Sequence, residues 1–287
     1  IIKIEGRSFM KTLLTILNAK FIQSSLAIRC LTTACAHRGV AVDAAEYTIN
    51  QNPYDILRHI AAFKADVIGF SCYIWNIEMT CHIITLVKSV FPETKIFVGG
   101  PEVSYTARRV LLDCPDIDYV LQGEGEIMVP DFLTALEKGE DGTDIPGVLG
   151  RVDGKIQGDE TFQEIDDLDS LPFPYENQDF RDLDHRIMYY ESSRGCPFHC
   201  QYCLSGMNDR VRFRSVPRVL QELQTFVDAG VSQVKFVDRT FNCNPSHHRP
   251  LVEYMIGVTR EVNFHLEIEP AVLTDDDIDL LAKAPKG

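Results

Sequence analysis

Residues 194–203 read Arg-Gly-Cys-Pro-Phe-His-Cys-Gln-Tyr-Cys. Cys196, Cys200 and Cys203 stand in a Cys-x3-Cys-x2-Cys spacing, with an aromatic residue directly before the last cysteine. Three thiolates this close can face one cubane cluster. A [4Fe–4S] cluster usually takes four cysteines, so three protein ligands leave one iron open to a substrate or cosubstrate. Zinc is the competing reading. Structural zinc normally takes four Cys or His ligands, and the spare candidate, His199, lies inside the loop, where a tetrahedral set is awkward.

Outward from the motif, the order of elements fits a barrel. Residues 186–192 read as a first strand, which puts the cysteines on the loop at its carboxyl end, where barrel active sites are built. Val219, Leu220, Leu223, Phe226 and Val227 mark the next helix, and residues 233–237 the second strand, ending in Asp238-Arg239-Thr240-Phe241-Asn242. Residues 264–268 read as a third strand, with Glu267, Glu269 and Pro270 at its end; alternation puts Glu267 and Glu269 on one face. Arg210, Arg212, Arg214 and Arg218 read as a solvated face rather than an anion site. Ile278, Leu280, Leu281 and Ala282 suggest one more helix. Only 84 residues follow Cys203, enough for about three of a barrel's strand–helix units. The chain is therefore expected to be a fragment whose missing part holds most of the substrate site.

Residues 10–143 alternate apolar runs, at 12–17, 40–47, 67–72, 95–98 and 117–121, with helical patterns. Near-continuous runs are expected of parallel strands buried on both faces. Leu26, Ala27, Cys30, Leu31, Ala34 and Cys35 repeat at helical spacing, with Ser24 or Ser25 as cap and Gly39 at the end. Two further helices are marked by Ile56, Leu57, Ile60 and Phe63, and by Ile77, Cys81, Ile84 and Val87. The fold class is α/β: a doubly wound, Rossmann-like parallel sheet followed by a partial (β/α) barrel. Ligands of such sheets sit beyond the carboxyl ends of the strands. The segments there are Ser24-Ser25-Leu26, Ser71-Cys72-Tyr73-Ile74-Trp75, Gly99-Gly100-Pro101-Glu102-Val103 and Gly123-Glu124-Gly125-Glu126. Small residues let a ligand approach the backbone closely, and four such loops on one rim argue for a large one.

Residues 144–187 carry 4 basic and 12 acidic groups. A hairpin is expected first, with strands at 147–152 and 155–157 joined by Asp153-Gly154. The rest, with Asp166-Asp167-Leu168-Asp169, Pro172 and Pro174, reads as an acidic linker. Residues 1–9 contain Ile-Glu-Gly-Arg ahead of Met10 and read as a tag or upstream extension. Nine cysteines, an odd number without framework spacing, suit a reducing cytoplasm. Of these, Cys30, Cys35, Cys81 and Cys114 read as small buried hydrophobes, and Cys243 as a bystander. Net charge is −14, which argues against broad nucleic-acid binding. No apolar run approaches the ~20 residues of a membrane helix.

The four rim loops, Gly-Gly-Pro-Glu and Gly-Glu-Gly-Glu above all, resemble the cobalamin (B12)-binding domain of one branch of radical S-adenosylmethionine (SAM) enzymes. The cysteine motif resembles the radical SAM signature. The resemblance implies that the rim residues named above contact the corrin and its nucleotide tail. No Asp-x-His-x-x-Gly is present, and His59 and His82 lie in helical patterns, so the protein is expected to give cobalt no histidine. It further implies that Cys196, Cys200 and Cys203 hold a [4Fe–4S] cluster whose open iron takes the amino and carboxylate groups of SAM. Tyr202 would lie near the adenine, or pack beneath the loop. Asp238, Asn242, Glu267 and Glu269 would position the methionyl amine and ribose. The implied chemistry is reductive cleavage of SAM to a 5′-deoxyadenosyl radical, for methyl transfer to, or rearrangement of, an unactivated carbon. The implied partners are a small-molecule substrate and a reductase, flavodoxin or ferredoxin as electron donor. Two alternatives stand beside this: a radical SAM enzyme whose B12-like domain no longer binds cobalamin, and an inactive fragment or cofactor-binding sensor.

Overall fold

In the computed structural model β1 (Thr12–Asn18) is buried at all seven positions. Its place explains why: it lies between β2 (Asp43–Thr48) and β3 (Val67–Ser71), parallel to both. The model describes residues 10–175, 179–180, 186–207, 210–258 and 262–285. The chain divides into two units between Ile165 and Asp166.

The first unit continues through β4 (Lys95–Gly99), β5 (Tyr119–Leu121), β6 (Val148–Val152) and β7 (Lys155–Gly158), and the sheet order is β2-β1-β3-β4-β5-β6-β7. The first five strands are parallel. This order reverses between β1 and β3, the switch point at which doubly wound sheets bind ligands. Helices α2 (Pro53–Phe63), α3 (Ile77–Val90) and α5 (Ala107–Asp113) bury Ile56, Ile60, Ile83, Val87 and Leu111 on one face of the sheet. Helices α1 (Leu26–His37) and α6 (Gly125–Glu137) bury Ile28, Cys35, Met128 and Phe132 on the other. Ser25 caps α1, its hydroxyl accepting from Ile28 N at 3.2 Å. The short α4 (Pro101–Ser104) opens the β4 crossover.

Two expectations change here. The run at 40–47 is not buried on both faces. β2 is an edge strand with one neighbour, and Asp43 and Ala44 are exposed. The expected hairpin forms at Asp153-Gly154, joining β6 (Val148–Val152) and β7 (Lys155–Gly158), yet it is no linker element. β6 pairs antiparallel with β5, so the hairpin extends the sheet.

In the second unit β8 (Met188–Tyr190), β11 (Gln233–Phe236) and β12 (Asn263–His265) are parallel, in the order β12-β11-β8. α7 (Val216–Asp228) follows the cysteine loop and α8 (Pro245–Val258) follows β11. α9 (Asp275–Leu281) starts at a Thr274–Asp277 capping box. This is the start of a β/α barrel. The expected first strand is confined to β8, and beyond it the chain turns as β9 (Ser193–Arg194) to pair with β10 (Arg212–Phe213).

The acidic stretch is not a solvated linker over residues 166–175. Leu168, Leu171 and Tyr175 are buried. The Tyr175 ring packs edge-on against Phe226, and its hydroxyl donates to Tyr189 O. The acids occupy its polar side: Asp169 accepts from Ser215 N at the start of α7, and Asp166 pairs with Arg210. Of the remaining linker, residues 176–178 and 181–185 lie outside the described residues.

Candidate cofactor sites

The carboxyl rim of the first unit is locked by its own side chains. Asn76 is fully buried; its amide donates to Leu17 O and Ser71 O, both at 3.1 Å, and its oxygen accepts from Tyr73 N at 2.8 Å. It thereby joins the ends of β1 and β3. Glu46 on β2 plays the same part for the β1 loop, accepting from Asn18 Nδ2 at 2.7 Å and Ser25 N at 3.0 Å. Ser24 and Ser25 are buried and Leu26 is half-buried. Ser104 links the other two loops, donating to Gly100 O at 2.8 Å and accepting from Gly123 N at 3.2 Å. Asn76, Glu46 and Ser104 carry no distinguishing signal in the sequence, because a single polar residue near the end of a strand or helix is too common.

The rim glycines serve the chain itself. Gly100, at φ +105°, faces the Cys72 backbone, and a Cβ there would lie 2.6 Å from Cys72 O. Gly123, at φ +107°, would put a Cβ 2.1 Å from Gln163 O. The segment after the hairpin therefore crosses the end of β5, where Gly123 and Gln163 form a parallel bridge. Glu124 completes this contact, accepting from Ile165 N at 2.9 Å, while Gly125 lets α6 pack on Leu31 of α1. Glu126 is buried. Several apolar side chains face outward from this rim: Phe21 is 75 % exposed, Ile74 79 %, and Ile22 and Trp75 are nearly half exposed. Tyr73 stacks on Trp75 with ring centroids 4.4 Å apart. Cys72 and Val103 lie in the core below, and Glu102 is exposed.

These residues fit a large, flat, largely apolar ligand such as a corrin, since exposed aromatic and aliphatic tips beside locked backbone call for a cover. Among the described residues of the first unit no histidine stands on this rim. His59 on α2 hydrogen-bonds Tyr47 OH at 2.8 Å, and His82 is exposed on α3.

In the second unit the cysteine loop is fastened at its start. Cys196 is buried, with its Sγ 3.3 Å from Thr240 Oγ1. Cys200 and Cys203 are exposed, and Cys203 N donates to Cys200 O at 2.9 Å. Among the described residues no three Cys, His, Asp or Glu side chains converge as a metal site. This holds for the zinc reading as for the cluster. The donor chemistry still fits an iron–sulfur cluster: three thiols, none in a disulfide, on one loop at the carboxyl end of the strands. Tyr202 is 94 % exposed, so it does not pack beneath the loop.

The four polar residues expected around SAM separate. Asp238 is 1 % exposed and accepts from Ser192 N at 3.1 Å, Ser192 Oγ at 2.6 Å and Ser193 Oγ at 2.5 Å. Burial pushes its carboxyl up to about 6, against the three hydrogen bonds that pull it down. It braces the strand ahead of the cysteine loop. Asn242 is buried and pairs reciprocally with the Glu269 backbone at 2.9 and 2.8 Å. Glu269 and Glu267 do not share a strand face, because β12 ends at His265. Glu269 instead caps a turn through Ala271 N, and Glu267 pairs with Lys235 at 3.2 Å. The arginines are also not one solvated face. Arg212 and Arg214 are buried, and Arg214 and Arg218 flank Glu222, which also accepts from Tyr190 OH at 2.6 Å.

A B12 binding domain model matches residues 12–133, and a radical SAM superfamily model matches residues 190–286. The chain belongs to the B12-binding-domain radical SAM proteins. It is 29 % identical over 199 residues to an uncharacterized methyltransferase of Pyrococcus horikoshii, covering 66 % of this chain and 43 % of that protein. It is 27 % identical over 193 residues to the cobalamin-dependent radical SAM methyltransferase TokK of Streptomyces tokunonensis, covering 63 % of this chain and 28 % of TokK. The chain thus aligns with less than half the length of either relative. In fold it matches TsrM from Kitasatospora setae, a radical S-adenosylmethionine methyltransferase solved with cobalamin and a [4Fe–4S] cluster bound. The TM-score is 0.78 at 18 % identity, over 96 % of this chain and 59 % of that one. Among the described residues no helix is long and apolar enough to cross a membrane.

Proposed function

We propose that this chain forms the cofactor-binding part of a cobalamin-dependent radical SAM methyltransferase acting on an unactivated carbon of a small molecule. The observation that carries the reading is the pairing, in one chain, of a three-cysteine loop at barrel strand ends with a switch-point rim that exposes Phe21, Ile22, Ile74 and Trp75. When bound, the cluster and cobalamin supply the electron that cleaves SAM to a 5′-deoxyadenosyl radical and the carrier for the methyl group.

The chain's own residues hold and orient. Cys196, kept in place by Thr240, is the first thiolate offered to iron, and Cys200 and Cys203 supply the other two. Tyr202, beside Cys203, offers an exposed ring to the adenine. Glu267 and Glu269 face the methionyl and ribose groups only if their present pairings open; Asp238 and Asn242 act by positioning the loops that do so. Phe21, Ile22, Ile74 and Trp75 would cover a bound corrin and exclude water from it, with Ser24, Ser25, Leu26, Ser71, Cys72, Tyr73 and the Gly99-to-Val103 and Gly123-to-Glu126 turns as the wall behind. Among the described residues of the first unit, this rim offers cobalt no histidine. A flavodoxin, ferredoxin or reductase in the cytoplasm delivers the electron.

Anaerobic reconstitution with iron, sulfide and hydroxocobalamin, followed by desalting, tests this. About four irons per chain together with a corrin absorbance band support the reading. Iron without corrin favours a B12-like domain that has lost its ligand. Release of 5′-deoxyadenosine from SAM under a strong reductant separates an enzyme from a binding protein.

A further inference from the structure

Cys81 on α3 and Cys114, the residue that ends α5, bring their sulfurs to 3.5 Å. Both are half-buried, not sealed in the core as the sequence reading expected. Cys72, fully buried at the end of β3, lies close enough to sense the charge of both. The chain between the two cysteines contains β4, the Gly99-to-Val103 rim turn, α4 and α5. α3 itself starts directly after Asn76, which locks the β1 and β3 loops. A bond between Cys81 and Cys114 would thus tie together the helices leaving two of the rim loops.

We propose that Cys81 and Cys114 form a reversible disulfide that fixes the β3 and β4 side of the first unit's rim. The oxidant is a low-molecular-weight disulfide. One protein thiolate attacks a sulfur of that disulfide and displaces one small thiol. The second protein thiolate attacks the mixed disulfide and displaces the other. Two protein thiols are oxidised, one small disulfide is reduced to two thiols, and both protons go to the released thiolates. Burial raises the Cys81 thiol to about 12, so little of it is thiolate at neutral pH and the exchange is slow. The pair answers sustained oxidation rather than brief exposure. This rests on thiol geometry alone and stands or falls apart from the cofactor reading.

The test uses the full chain, reduced and desalted without oxygen, then incubated with oxidised glutathione, quenched with iodoacetamide and digested with trypsin. Cys72 and Cys81 fall in the peptide 65–88, Cys114 in 110–138, and the exposed Cys200 and Cys203 in 195–210, so each pairing has its own mass. The expected result is a 65–88 to 110–138 cross-link whose fragmentation maps to Cys81. It persists in Cys72→Ala and disappears in Cys81→Ser and Cys114→Ser, where the remaining thiol carries glutathione instead. The wild type's melting temperature should rise on oxidation and fall back with dithiothreitol, and Cys81→Ser should show no such shift. No cross-link in the wild type, a link through Cys72, or a link only between two chains overturns the proposal.

Discussion

The rim of the first unit and the cysteine loop of the second both stand at carboxyl ends of parallel strands, but they are held differently. In the rim, Asn76, Glu46, Ser104 and the 163–165 segment take up backbone polar groups, and the tips of Phe21, Ile22, Ile74 and Trp75 are left outward. The cysteine loop is held at its beginning, by Asp238 on Ser192 and Ser193 and by Thr240 at Cys196. Farther along, Cys200, Tyr202 and Cys203 are exposed. A rim whose polar groups are satisfied internally is a preformed surface waiting for a cover. A loop whose thiols do not converge beforehand gains that arrangement from what it binds, because metal affinity and folding are then one free energy.

The sharpest way to break this contrast is Cys203→Ala. Iron after reconstitution should fall from about four per chain to below one, while the unfolding free energy in urea changes by less than about 0.5 kcal/mol, as for an exposed site. A large loss of stability would mean that the loop is structural. On the rim the pattern should invert. Gly123→Ala, forced to φ +107° against Gln163 O, should cost about 3 kcal/mol in chemical unfolding. Ile74→Ser should leave stability nearly unchanged and weaken retention of hydroxocobalamin.

Asp238 gives a pH test of the loop's fastening. Its folded carboxyl keeps the proton to about 6, against 3.8 in the unfolded chain. Between those values the folded state carries the extra proton, so stability falls as pH rises through that window. The loss amounts to about 3 kcal/mol by neutral pH. The stability of the wild type minus that of Asp238→Asn should decline from pH 4 to pH 7, and parallel curves would remove the buried carboxyl from the account. The smallest effect is expected at Thr240. Thr240→Val should cost about 1 kcal/mol and slow iron uptake, and Thr240→Ser should restore both.

Local pattern carried a good part of the architecture. The apolar run of β1, the Ser25 helix cap and the Asp153-Gly154 hairpin are each written within a few neighbouring residues. Helices α4, α5 and α6 were not anticipated; α6 holds Pro130 inside it, a residue that argues against a helix interior. The cysteine motif was legible because its chemistry is its spacing. The acidic stretch misled because like charge masks the three apolar residues, Leu168, Leu171 and Tyr175, that decide where it packs.

The sequence by itself determined the two kinds of unit, the strand ends that carry the candidate sites and the identity of the three thiols. Periodicity, turn chemistry and ligand spacing act over a few residues and leave their mark there. Only the tertiary structure decided what each polar residue and glycine faces. Gly123 meets Gln163, Asp238 meets serines 45 and 46 positions earlier, and Cys81 meets a thiol 33 residues on. Which groups are desolvated together depends on how distant segments cross, and burial then sets whether a carboxylate is a ligand, a brace or a titrating group.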